Sequence, residues 1–177
     1  MRTSTLIANS AFCPRNDRCC GQWAAPLPHS DRADRTLDRF YGQVVIPEAV
    51  LRELLIPVAP LPVREWLSQA PPWLRVENVP PDRVESVAAE LDPGERQAIA
   101  LANFLGADLL LIDELAGRAE ARRLGIRVTG TLGVLRTAAE MGLIDVPQTL
   151  ARLRATTFFV DEKLIAAVFG PWLTGAY

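Results

Sequence analysis

Long apolar runs are missing from this 177-residue chain, although 49% of it is hydrophobic. A transmembrane helix needs about 20 consecutive apolar residues, so a membrane span is not expected. The apolar patch from Thr5 to Ala8 is too short for a signal peptide and is followed by no small-residue cleavage region. Cytoplasmic residence with no membrane partner is the expectation. Histidine is nearly absent, with His29 alone, and the three cysteines, Cys13, Cys19 and Cys20, crowd into one polar segment. Their spacing fits no zinc template, and an odd count argues against a disulfide framework. Charge of either sign is not in large excess: the net charge is −2 and the pI near 5.5, which gives no global reason to expect nucleic-acid binding. Arg118, Arg122, Arg123 and Arg127 form a local exception, either a basic edge or a solvated helix face. No glycine-rich phosphate loop follows a strand, which disfavours a Rossmann-like small-molecule binder. No internal repeat is visible.

What is present is an alternation of β-branched or apolar runs with helical patterns. Thr3 to Ala8 reads as a first strand. Residues 11–38 hold Cys, Pro, Arg, Asp and Ser with little apolar periodicity, as a loop or disordered insert would. Val44–Ile46 is a second strand, Pro47 suits the first turn of a helix, and Val50, Leu51, Leu54 and Leu55 supply its apolar stripe. A short helix around Val63–Gln69 and an alternating strand from Leu74 to Val79 follow, then a helical pattern from Asp82 to Glu90. Asp92-Pro93-Gly94-Glu95 is a helix-start signal with Asp92 as N-cap; Ala98, Ile99, Ala102 and Leu105 share the apolar face, and Gly106 closes the helix. After the arginine-rich helix Gly125 suits a C′ position, Ile126–Thr129 is a last strand, and Thr131 is placed to cap a helix running to Met141. Helices near Gln148–Ala155 and Asp161–Phe169 finish the chain. The pattern predicts an α/β fold with a central parallel sheet and helices on both faces. We assign residues 1–157 to one domain, with an atypical segment at 11–38, and residues 158–177 to a C-terminal helix and tail. Phe158, Phe159, Phe169, Trp172 and Tyr177 suit a subunit contact, core packing or a loose tail equally well.

The stretch Leu109-Leu110-Leu111-Ile112 stops at Asp113-Glu114. It reads as a buried parallel strand feeding a helix, and working groups in open α/β sheets sit just beyond such strand ends. Glu53, Glu95 and Asp113 occupy comparable places after or between strands. Clustered carboxylates suit a Mg²⁺ or Mn²⁺ ion, which takes one or two of them plus water and phosphate oxygens and can drive phosphodiester hydrolysis. Each acid also has a plainer explanation. Glu95 completes a capping arrangement with Asp92, Glu53 pairs with a nearby arginine, and Asp113 caps the following helix.

The segments Val44-Val-Ile-Pro-Glu-Ala-Val-Leu-Arg-Glu-Leu54, Leu91-Asp-Pro-Gly-Glu-Arg-Gln-Ala-Ile-Ala-Leu-Ala102, Leu109-Leu-Leu-Ile-Asp-Glu-Leu-Ala-Gly-Arg118 and Val128-Thr-Gly-Thr-Leu-Gly-Val134 resemble the PIN-domain family. They are most similar to a prokaryotic branch close to the ribonuclease toxins of toxin–antitoxin pairs. The resemblance covers residues 40–145 or so. It implies a three-layer α/β/α sandwich with a central parallel sheet and a metal-dependent endoribonuclease site. Carried over by position, it implies catalytic roles for Glu53, Glu95, Asp113 and Asn9. Asn9, Glu95 and Asp113 would hold Mg²⁺ or Mn²⁺, and Arg118 and Thr131 would contact an RNA substrate. An antitoxin protein and a second copy of the chain are the partners it implies.

The chain departs from the family in two places. An Asp usually ends the first strand, where this chain has Asn9; the alternative register puts Arg2 there and leaves almost no strand. Asn is a neutral oxygen donor, so metal affinity and water activation should fall, although Asn also occurs in members of this branch. The stretch Ala11 to Thr36 replaces a short amphipathic helix, either as a flexible insert or as a misread frame. Two readings therefore stand: a Mg²⁺/Mn²⁺-dependent endoribonuclease, and a weak or inactive PIN-fold module that binds a protein partner or nucleic acid.

Overall fold

The computed structural model describes residues 5–8, 41–57, 59, 61–155, 158 and 160–174. Asn9, the three cysteines, His29 and the 11–38 segment lie outside the described residues. Five strands form one sheet: β1 (Thr5–Ala8), β2 (Gln43–Pro47), β3 (Leu74–Glu77), β4 (Leu109–Leu111) and β5 (Val128–Thr129), in the order β3-β2-β1-β4-β5. Every pairing is parallel, and Ile7 of β1 stands level with Val45 on one side and Leu110 on the other. The sheet interior is apolar because helices cover both faces: Val44, Val45, Ile46, Leu110 and Leu111 are all buried.

The helices are α1 (Glu48–Leu55), α2 (Leu61–Ser68), α3 (Pro81–Glu85), α4 (Pro93–Leu105), α5 (Leu115–Arg123), α6 (Thr131–Glu140), α7 (Val146–Arg154) and α8 (Glu162–Leu173). Pro47 is both the last residue of β2 and the N-cap of α1, because its fixed φ serves strand and helix entry alike. α4 packs on β1, β2 and β4 and against α1 and α5. Its faces supply Ala98, Ile99, Leu101 and Ala102 to a core shared with Val45, Val87, Leu110, Ile112 and Ile126. Leu105, expected on that face, is 43% exposed: the helix is ending there, and Gly106 turns the chain with φ +61.

Contacts divide the chain into two compact units, Met1–Thr129 and Gly130–Tyr177. The first holds the sheet and α1 to α5. In the second, α8 packs on α6 and α7 and buries Ile165 and Phe169, with the Phe169 ring edge-on to Trp172 at 6.2 Å.

Some element ends differ from the sequence reading. α3 stops at Glu85 rather than running to Glu90, because Ser86 Oγ bonds back to the Arg83 carbonyl and Arg96 takes the carbonyls of Val84 and Val87. α6 is capped by Gly130, extended at φ −125, and Thr131 is its first helical residue instead of its cap. α8 continues past Phe169 to Leu173 with Pro171 inside. β4 ends at Leu111, but the Ile112 N–H still donates to Thr129 O at 2.9 Å.

Candidate active site

Strand order runs outward from β1 to β2 and β3 on one side and from β4 to β5 on the other. The carboxyl ends of β1 and β4 therefore flank a topological switch point, where open parallel sheets place ligands. Asp113 follows β4 at this point and is half-buried. The N-cap position of α5 is Glu114, so Asp113 stands one residue before that cap.

Glu95 is brought to the same region by α4. Asp92 caps that helix, its Oδ1 accepting from the Gly94 N–H at 3.1 Å. Glu95 stands at N3 and receives the Asp92 backbone N–H in return, which is the reciprocal half of a capping box. Capping does not account for the whole side chain. Glu95 is 5% exposed, and its Oε1 is buried with no hydrogen-bond partner.

The reason for that burial lies on α5. Gly117 turns its bare Cα toward the carboxyl: a Cβ there would stand 3.0 Å from Glu95 Oε1 and 2.3 Å from Ile112 Cδ1. Only glycine lets α5 approach so closely. Desolvation, then the negative charges of Glu114 and Asp92, push the Glu95 carboxyl up to about 7. A group poised there can hold or release a proton near neutral pH.

Arg118 lies on the same helix, half-buried, and its Nη1 donates to the Ile112 carbonyl at 3.1 Å. This bond fixes the guanidinium at the end of β4 while leaving other N–H donors for an anion. Glu53 lies half-buried on α1. Thr131 is fully buried at the start of α6, in the other compact unit. Among the described residues no three acidic, histidine or cysteine side chains converge as a metal cluster.

Glu114 and Glu120 escaped the sequence reading. Glu114 is exposed and acts on Glu95 through its charge; its place beside Asp113, one turn before Arg118, was the available signal. Glu120 is 9% exposed. It accepts from Arg123 Nε at 2.7 Å, from Arg123 Nη2 at 2.8 Å and from the backbone N–H of Ala88 at 3.0 Å. These bonds, the Arg123 side chain foremost, hold its carboxyl down to about 2. Arg127 faces Asp108 at 3.7 Å, so of the arginines read as either a basic edge or a solvated face, Arg123 and Arg127 are matched by acids of the fold itself.

Residues 33–172 match the family DUF3368, a PIN domain. The chain belongs to that family, a nuclease-type fold with the three-layer α/β/α architecture and central parallel sheet. Among solved structures it is similar to a PilT N-terminus domain protein from the hyperthermophilic archaeon Sulfolobus solfataricus P2. The identity is 18% and the TM-score 0.48, over 76% of this chain and 92% of that one. No curated protein matches the chain. Among the described residues no helix is long and apolar enough to cross a membrane.

Proposed function

We propose that this protein is a divalent-metal-dependent endoribonuclease of PIN type, acting in the cytoplasm as the toxin of a toxin–antitoxin pair. The observation that carries the reading is the Glu95 carboxyl: buried, raised to about 7, and holding one oxygen without a partner beside Gly117. A hard cation takes such oxygens, and Mg²⁺ needs only one or two protein carboxylates with waters completing its shell. The donor set therefore fits Mg²⁺ or Mn²⁺. Glu95, Asp113 and Asn9 are the proposed ligands, with Glu53 as a further acid of the catalytic set. With such an ion held by these residues, the site would have a Lewis acid for a phosphoryl oxygen and a means of lowering the pKa of water near neutral pH.

The chain's own residues supply the rest. Arg118, held by the Ile112 carbonyl, presents its other N–H groups to a phosphate; Thr131, expected from the sequence to contact RNA, is fully buried and is not proposed for that role. RNA is the proposed substrate; an antitoxin protein and a second copy of the chain are the proposed partners. Asn9, standing where the family usually has Asp, favours the alternative of a weak or inactive module that binds such a partner.

Titration calorimetry with Mn²⁺ on wild type, Glu95→Gln and Asp113→Ala separates the two readings. Saturable uptake lost in both variants, followed by RNA cleavage that chelator abolishes, supports the nuclease. Absence of uptake at millimolar Mn²⁺ sinks it in favour of the partner-binding module.

A further inference from the structure

We infer that Glu120 is a positioning residue for this acidic centre: it fastens the turn that carries Asp92 and Glu95 to the helix that carries Glu114, Gly117 and Arg118. Nothing in the metal chemistry calls for an acid at this position. Its role follows from what its oxygens hold.

The turn between α3 and α4 has few regular backbone bonds to fix it. Two side chains hold it from opposite directions. Arg96, one residue past Glu95, donates through Nη2 to Val84 O at 3.1 Å and to Val87 O at 3.4 Å. Glu120, from α5, accepts the Ala88 N–H at 3.0 Å across a long stretch of sequence. Val87 and Leu91, on either side of Ala88, are buried in the core. A buried carboxylate is costly unless its lone pairs are used, and Arg123 takes two more of them.

Glu120 is one turn beyond Gly117 on α5, so the bond to Ala88 sets how closely this helix approaches the start of α4. The same approach buries Glu95 Oε1 against Gly117. Losing the tether lets the two elements drift, and the carboxyls that would share an ion lose their mutual placement. Groups hydrogen-bonded directly to metal ligands typically change affinity by about 10- to 100-fold; Glu120 acts one step further out, so an effect of about tenfold is expected.

The inference rests on the metal-site reading above, and two conservative variants test it on the full chain. Glu120→Asp keeps the charge and the Arg123 partner but withdraws the carboxylate from Ala88 by one methylene. Glu120→Gln keeps the reach, its amide oxygen accepting from Ala88 and from Arg123 Nη2, but drops the charge and turns its NH2 toward Arg123 Nε, so that half of the pair is lost. Mn²⁺ dissociation constants are measured by calorimetry, with circular dichroism to confirm folding. Amide exchange at Ala88 is followed without metal. A tether weakens Mn²⁺ about tenfold in Glu120→Asp, with faster exchange at Ala88, and leaves Glu120→Gln nearer wild type. The opposite ranking, or equal affinities in all three proteins, overturns the positioning role while leaving the metal site standing. A wild type that takes up no Mn²⁺ overturns both.

Discussion

A carboxyl that keeps its proton to about pH 7 when folded, but releases it near 4.5 when unfolded, ties stability to pH. Between those values the folded chain binds more protons, so the Glu95 contribution falls as pH rises and levels off above the folded value. The expected loss from pH 4.5 to 8 is on the order of 3 kcal/mol. Urea unfolding of wild type and Glu95→Gln reads it: the variant is flatter with pH and the more stable of the two at pH 8. Glu120 has the opposite sign. Its carboxyl is held at about 2, so its contribution is present above the unfolded value and is lost as pH falls through the folded one. Gly117→Ala puts a methyl into Ile112 Cδ1 and against Glu95 Oε1. Overpacking of about 1–3 kcal/mol outweighs a helix-propensity gain of about 1 kcal/mol. A lowered melting temperature, together with weaker Mn²⁺ uptake, is the expected result.

At the level of the element, the start of α4 joins stability to electrostatics. Asp92→Ala removes the cap on Gly94, at about 1 kcal/mol. It also removes one of the negative charges acting on Glu95. Carbon-13 NMR of the Glu95 carboxyl should show it titrating lower in the variant, while thermal melting reports the lost cap. Much of this element is legible in the sequence, because Asp92-Pro93 and Gly106 mark its ends through local backbone preferences. Glu95 stands out in the same way as the N3 member of a capping box. Its orphaned oxygen does not, because Gly117 is what closes over it, and that contact is set by packing between helices. Glu120 was hidden for the same reason: in sequence it is one more charge on an arginine-rich helix, and its partner Ala88 lies on another element. The early end of α3 likewise depends on Arg96 capturing its carbonyls, a competition no local pattern announces. Gly130 displaced Thr131 as the cap of α6, since a glycine in extended conformation serves that position about as well as a hydroxyl.

For the whole molecule, of the four arginines that closely follow Asp113, Arg123 pairs with Glu120 and Arg127 with Asp108, which leaves two of that edge for RNA. Arg118 and the exposed Arg122 are the candidates. Two phosphate contacts to a single strand give a slope of about −1.4 in log K against log salt. Filter binding across a salt series checks this, and a slope several times steeper points to a different surface.

Sheet order has a further consequence for the order of events during synthesis. Leu6 pairs with Val44 on one side and with Leu109 on the other, so the second partner of the central strand emerges long after the first. Translation adds about 5–20 residues per second. For several seconds the nascent chain holds β1 to β3 without β4, and the crevice between β1 and β4 does not exist. Whatever chemistry that crevice houses is withheld from the ribosome and its message until Asp113 has cleared the exit tunnel.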